Sequence, residues 1–336
     1  MNPIPIVAKT PVFTSDEAIA KLQRAVHANS ANFYAMYSSI LGGIVTDPAL
    51  MLLPLDDHMV HRGHAVFDTA TLTRGMLYQL DAHLDRLIKS AAGARIPLPF
   101  PREQLRRTIL ETAAAGRARN GSVRYWLSAG PGGYGLGPAE CVGSSFYVIV
   151  FKQEAYPESY YQTGVKLITS GVPIKPPLFA RIKSTNYLPN VLVVLEAKDK
   201  GADNGVFVDQ RGMIAESSNM NVAFVTKDRV FRHPPFDAIL SGITIRRVLD
   251  FAQRLVQNGA LSAVRLADVS AQEGRDAAEM MLIGSSIKVA PVVEWDGHKI
   301  GDGKPGPIAE RLLQMWNEDT SSARDQLVAV PYDEGV

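Results

Sequence analysis

The sequence predicts two domains of mixed helices and strands, on three observations. Its 336 residues exceed one ordinary domain and fit either two domains or one large α/β unit. Strand-length apolar runs and amphipathic helical patterns occur in both halves of the chain. Between the halves lies Lys152 to Gln162, which is polar, tyrosine-rich and interrupted by Pro157. That stretch sets a first domain at 1–152, a linker at 153–161 and a second domain at 162–336.

Taken in order, Asp16 to Ala28 reads as a helix with Ser15 as N-cap. The first convincing strand pattern is Val60 to Leu72, followed by a turn at Thr73 to Gly75 and a strand from Met76 to Leu80. Leu84, Leu87, Ile88 and Ala91 repeat at i, i+3, i+4 and i+7, the stripe of an amphipathic helix. A second helix covers Arg102 to Ala114, Val123 to Ala129 is a strand, Gly130 to Pro138 can only be a loop, and Phe146 to Phe151 is another strand. Beyond the linker come a strand at Val165 to Ser170, a bend at Pro173 to Pro177 and a helix from Asn190 to Lys200. Strands follow at Asn204 to Asp209, Met213 to Ala215 and Asn221 to Thr226. The helix Thr244 to Gln257 carries its stripe on Ile245, Val248, Leu249, Ala252 and Val256, and Met280 to Ile283 is a strand ahead of Gly284.

Composition excludes several functions. A net charge of +1 leaves no basic excess to neutralise phosphates, so no nucleic-acid partner is expected. The longest apolar runs, such as Ser144 to Phe151, are far too short to span a bilayer. Cys141 is the only cysteine, which excludes an intrachain disulfide and a multi-cysteine metal cage, and suits a reducing compartment. The N-terminal stretch has neither an apolar core nor an Arg-rich, acid-poor character, so a cytoplasmic location is expected. His58, His61 and His64 have metal-ligand spacing, but alternation across a strand or turn would keep them apart, and no metal is expected. Gly130 to Gly137 follows a strand, yet no helix opening follows it, so it is not a dinucleotide-binding loop.

The chemistry-bearing residues lie mostly in the second half. Lys183 stands between the proline bend and a helix; alone it reads as a surface lysine. Glu216 follows a strand, Leu240 to Thr244 opens a helix, and Ser285 and Ser286 end a strand. The motifs that carry a family likeness are MVHRGHAVFDTA from Met59 to Ala70, PIKPP from Pro173 to Pro177 and KSTNYLPNVL from Lys183 to Leu192. With them go NMNVAF from Asn219 to Phe224, LSGIT from Leu240 to Thr244 and EMMLIGSSI from Glu279 to Ile287. Through these the sequence resembles the fold-type IV pyridoxal-phosphate enzymes. The likeness runs from about Tyr34 to Ile308 and is strongest to plant D-amino-acid aminotransferase-like proteins.

The resemblance implies the α+β two-domain fold of that family, with pyridoxal 5′-phosphate between a smaller N-terminal and a larger C-terminal domain. Lys183 matches the Schiff-base lysine, whose amine, once released, moves a proton between substrate and cofactor. Glu216 matches the carboxylate that keeps the ring nitrogen protonated by Coulomb attraction. Gly242, Ile243 and Thr244, at a helix N-terminus, suit the phosphate dianion, with Ser285, Ser286 and Arg86 of the H-x-x-R segment completing that end. Ser218, Asn219, Met220 and Leu240 are expected near the ring, and Tyr187 near its 3′ oxygen.

The substrate side departs from the bacterial D-amino-acid enzymes. Ala129 stands where they place an arginine for the substrate carboxylate, and Phe67 where they place a tyrosine. Arg62 is the candidate replacement, helped by amides of the Gly130 to Gly137 loop; its plain alternative is an ion pair with Asp56 or Asp57. The expected reaction is ping-pong transamination from a D-amino acid such as D-alanine to a 2-oxo acid, by a homodimer. The alternatives are an aminodeoxychorismate lyase, an (R)-amine transaminase and a branched-chain L-amino-acid enzyme, all of which share the cofactor residues.

Overall fold

The computed structural model describes residues 9–25 and 28–332. The first helix, α1 (Ser15–Arg24), opens on Thr14 rather than Ser15: the Thr14 hydroxyl accepts the N–H of Glu17, whose carboxylate reaches back to the Thr14 N–H. The expected helix end at Ala28 is not reached, because residues 28–32 form a 3₁₀ turn; residues 26 and 27 lie outside the described residues.

Strands β1 (Phe33–Ser38) and β2 (Gly43–Val45) precede the short helix α2 (His58–Arg62), and β3 (Ala65–Thr73) follows it. The strand expected from Val60 is therefore helical up to Arg62. Asp57 caps α2 by accepting the Met59 N–H, and Gly63 ends it at φ +63°, a left-handed conformation that suits glycine. Next come β4 (Met76–Tyr78), α3 (Leu80–Gly93), α4 (Arg102–Ala115), β5 (Gly121–Ser128) and β6 (Ser145–Phe151). These strands form an antiparallel sheet, and α3 and α4 bury Leu84, Leu87, Leu105 and Ile109 against its inner face with Val123, Tyr125 and Leu127.

The second half holds α5 (Ser159–Gln162), β7 (Val165–Thr169), α6 (Pro177–Ala180), α7 (Leu188–Asp199), β8 (Asn204–Val208), β9 (Ile214–Ser217), β10 (Asn221–Val225) and β11 (Val230–His233). It continues with α8 (Ile243–Gln257), β12 (Ala263–Leu266), α9 (Ala271–Arg275), β13 (Glu279–Gly284), β14 (Lys288–Trp295), β15 (His298–Lys299) and α10 (Pro307–Ser322). Its nine strands run β12-β11-β10-β13-β14-β7-β8-β9, with β15 beside β14. The pairs β11–β12, β14–β7 and β7–β8 are parallel and the others antiparallel. Helices α8 and α10 cover one face, where Ile245, Val248, Phe251, Leu312 and Trp316 pack on Ala223, Met281 and Ile283. A last strand, β16 (Leu327–Ala329), returns to pair with β4, so the first sheet is ordered β16-β4-β3-β5-β6-β1-β2. The fold is α+β, with two sheets that meet at the site described next.

Candidate active site

The sheets meet on a cavity of about 570 Å³. Lys183 reaches it from a segment strapped to β3: the Phe67 N–H donates to the Lys183 carbonyl at 2.9 Å and the Thr185 N–H to the Ala65 carbonyl at 3.0 Å. The Lys183 N–H in turn donates to Ser90 Oγ of α3 at 3.2 Å. Its ammonium donates to the Tyr187 hydroxyl at 3.2 Å and lies 4.9 Å from the centre of the Phe67 ring. The backbone is thus tied to both a strand and a helix, while the amine faces open space.

Glu216, on β9, is buried and accepts the Leu240 N–H at 3.3 Å. Burial pushes its carboxyl up to about 7, against the opposing pull of Lys175, that N–H and Lys183. Leu240 to Thr244 is held to β10, since Asn221 donates through Nδ2 to the Leu240 carbonyl at 3.1 Å. A Cβ at Gly242, the N-cap of α8, would collide with Asn221 Oδ1, so the strap closes as it does because this position is glycine. Thr244 Oγ1 and Ser285 Oγ lie 3.1 Å apart, joining the start of α8 to the end of β13.

Arg86 enters from α3 on the same side. Its Nε and Nη2 donate to Asp68 at 2.7 and 2.8 Å, and its Nη1 donates to the Ser241 carbonyl at 3.3 Å. His83, one turn earlier, donates through Nδ1 to the same carboxylate at 2.7 Å. The H-x-x-R spacing places both side chains on one face of α3, and that face grips Asp68. Burial raises Asp68, but Arg86 and His83 overcome it and hold the carboxyl well below its usual range. Burial holds His83 below the usual histidine value, leaving it a neutral donor.

Lys183, Tyr187, Glu216, Ser218, Asn219, Met220, Leu240, Gly242, Ile243, Thr244, Ser285, Ser286, Arg86 and Phe67 all line this one cavity. Arg62 and Ala129 do not. Arg62 donates to the carbonyls of Tyr134 and His61 at 2.7 and 3.0 Å and makes no ion pair with Asp56 or Asp57, while Ala129 donates its N–H to the His64 carbonyl. Asp57 is occupied by Ser128, Tyr147 and the Met59 N–H instead. The three histidines expected to lie apart do converge, because α2 replaces the strand: His58 Nδ1 and His64 Nδ1 are 3.1 Å apart, and the His58 and His61 rings pack edge to face. Among the described residues no group of three or more His, Cys, Asp or Glu side chains could hold a metal ion.

The structure also places in the cavity Asp68, Arg124, Lys175 and Asn190, which sequence reading had not assigned to the site. Arg124 donates through Nε to Thr69 Oγ1 at 2.9 Å, lies between the Phe67 and Phe151 rings, and has no carboxylate partner among the described residues. Asn190 is buried and donates to the Ser218 carbonyl, but its Oδ1 accepts nothing. A phosphorylated pyridine aldehyde fits these groups: an amine, a buried carboxylate, an unused buried acceptor, and an end built from hydroxyls, a helix N-terminus and a guanidinium.

Such a cavity between two sheets of this topology defines a pyridoxal 5′-phosphate enzyme of fold type IV. Residues 65–295 match the family described as amino-transferase class IV, and the chain belongs to it; it is a transaminase that uses pyridoxal 5′-phosphate. It is 51% identical, over 96% of this chain and 86% of the other, to the chloroplastic D-amino-acid transaminase of Arabidopsis thaliana. It is 27% identical to the D-alanine aminotransferase of Bacillus licheniformis, over 81% of this chain and 93% of that one. Among solved structures it resembles the T.th. branched-chain amino acid aminotransferase with pyridoxamine 5′-phosphate, at TM-score 0.81 and 25% identity, covering 89% of this chain and 99% of that chain. No helix among the described residues is long and apolar enough to cross a membrane.

Proposed function

We propose that the protein transfers the amino group of a D-amino acid, such as D-alanine, to a 2-oxo acid in two half-reactions. The observation that carries this reading is Arg124, a partly buried guanidinium that lines the cavity without a carboxylate partner among the described residues. An uncompensated cation beside the reacting amine favours a substrate that brings its own carboxylate. The D hand is supported by the likeness to the Arabidopsis D-amino-acid transaminase.

When bound, pyridoxal 5′-phosphate supplies an aldehyde to take up the amino group and a ring to absorb the electrons left on the substrate carbon. Lys183 is the residue to hold the aldehyde, and its freed amine is the base that removes the Cα proton and returns it on the other side of the transfer. Tyr187, bonded to Lys183 Nζ, orients that amine. Glu216 would face the ring nitrogen, where a cation would pull its carboxyl back below about 7 and stabilise the ion pair. Thr244, Ser285, Ser286 and the α8 N-terminus would anchor the phosphate, with Arg86 behind them.

A homodimer is part of this reading. Helix α7 leaves Leu188, Val191, Leu192, Val194 and Leu195 exposed, with Val191, Val194 and Leu195 lining the cavity, an apolar face suited to a second copy. The single unpaired cysteine suits the reducing cytoplasm. A coupled assay with D- and L-alanine against 2-oxoglutarate tests the reaction: D-alanine should be consumed, and Lys183→Ala should abolish turnover together with the yellow colour. Pyruvate appearing from aminodeoxychorismate with no acceptor present would favour the lyase instead.

A further inference from the structure

Of the described residues, two lysines face the cavity, and the chemistry above uses one. The other, Lys175, lies in the bend Pro173 to Pro177, where Pro173, Pro176 and Pro177 fix three φ angles around it. Its ammonium is 4.9 Å from the centre of the Tyr187 ring and forms neither a hydrogen bond nor an ion pair among the described residues. Ile174, just before it, packs in one apolar cluster with Ala215 and Ile239, the residues just before Glu216 and Leu240. The residue after each of the three, Lys175, Glu216 and Leu240, lines the cavity. One cluster thus joins three distant segments, and it sets a cation beside a buried carboxylate and the N–H which that carboxylate accepts.

The other ionisable groups of the cavity are already engaged. Arg86 of α3 is bound to Asp68 of β3, Arg124 of β5 to Thr69, and Lys183 to the Tyr187 hydroxyl. Asp203, just ahead of β8, accepts the Lys166 N–H at 2.7 Å, and Tyr156 packs on Tyr160. Lys175 is left as a cation without a polar partner among the described residues, and Glu216 as an acid without a cation in contact. Charge acts across such a gap without contact. Burial raises the Glu216 carboxyl, and of the influences that oppose it Lys175 is the strongest, ahead of the Leu240 N–H and Lys183.

We propose that Lys175 is a positioning residue for the transfer reaction, which from the proline bend favours the ionised form of Glu216 and keeps it ready for a protonated ring nitrogen. This rests on the reading of Glu216 as the partner of that nitrogen. A neutral glutamic acid has no negative charge to hold the ring's proton, and without that proton the ring absorbs electrons poorly. Tyr187 seats both lysines, Lys183 on its hydroxyl and Lys175 against its ring, so the second ammonium stays clear of the reacting one while its charge still reaches Glu216.

The test uses the full chain with Lys175→Met, Lys175→Arg, Glu216→Gln, and Lys175→Met combined with Glu216→Gln. Each is melted without cofactor across pH 5 to 9, and its affinity for pyridoxal 5′-phosphate is measured by equilibrium dialysis at pH 7 and pH 9. Glu216 loses its stabilising contribution as the pH rises through about 7. Without the cation beside it, Lys175→Met should carry that loss about one pH unit further into the alkaline range. Lys175→Arg should restore the wild-type curve, and in the Glu216→Gln background Lys175→Met should leave the alkaline limb unmoved. Lys175→Met should also weaken the cofactor about fivefold at pH 7, where Glu216 must first give up a proton, and far less at pH 9. The proposal is overturned if Lys175→Met melts with the wild-type alkaline limb, or if it moves that limb equally with and without Glu216. Melting curves that move as expected, with a loss of affinity equal at pH 7 and pH 9, would sink the pairing of Glu216 with the ring instead and leave Lys175 as the charge that ionises Glu216.

Discussion

At Arg86 the guanidinium is committed before any ligand arrives, because both carboxylate oxygens of Asp68 hold it from one edge while His83 fixes Asp68 from another side. All three side chains are buried or nearly so, which makes the arrangement sensitive to loss of one member rather than to dilution by salt. Asp68→Asn leaves a buried cation without its counter-charge. It should destabilise the protein by about 3–5 kcal/mol and weaken retention of pyridoxal 5′-phosphate on dialysis. His83→Gln removes a neutral donor and should destabilise by only about 1 kcal/mol. Denaturant melts of both variants check the ranking, and equal losses would mean that the charge on Arg86 is not what Asp68 serves.

The proposed phosphate-binding end is a property of elements, since it exists only where the start of α8, the end of β13 and a side chain of β10 come together. Gly242→Ala forces Asn221 to give way and moves the strap. It should raise the dissociation constant for pyridoxal 5′-phosphate about tenfold, the effect of roughly 1.4 kcal/mol, and shift the melting temperature of the apoprotein little; equilibrium dialysis and a thermal melt separate the two. Elements whose signal is local were legible in the sequence, such as α3 and α8 with their apolar stripes and β3 with its alternation. The start of β3 was misread because MVHR is apolar enough for a strand, and only the Asp57 cap and Gly63 stop reveal a turn of helix. Strand β14 went unread because Pro291 argues against a central strand; its pairing with β7 begins only at Val292, so the missing N–H is not needed on that side. Most residues matching short motifs came together in one cavity, whereas Arg124 carries no local mark and Lys175, though inside the PIKPP motif, has no role that its neighbours in sequence suggest. Only the meeting of β5 with a distant proline bend shows that both cations line the cavity without a carboxylate partner among the described residues.

For the molecule as a whole, two buried groups set opposite limits on stability against pH. His233 is fully buried on β11 and packs on Phe236. Burial pulls it down to about 3, so the folded chain refuses a proton that the unfolded chain accepts at 6.5. Its stabilising contribution is therefore intact above pH 6.5 and falls away as the pH drops towards about 3. Glu216, raised from 4.5 to about 7, acts in the other direction: its contribution is intact below 4.5 and is lost as the pH rises through about 7. The apoprotein should accordingly be most stable near pH 5 to 6, between the two limbs. Each pH unit of imbalance is worth about 1.4 kcal/mol, so His233 should account for about 2 kcal/mol of loss by pH 5 and Glu216 for about 3 kcal/mol by pH 8. Melting the apoprotein across pH 4 to 9 should show His233→Leu flattening the acid limb alone and Glu216→Gln flattening the alkaline limb alone. Adding pyridoxal 5′-phosphate to the wild type should flatten the alkaline limb as Glu216→Gln does, because a protonated ring beside Glu216 removes the penalty of ionising it. If cofactor raised stability by the same amount at pH 5 and pH 8, the pairing of Glu216 with the ring would be refuted.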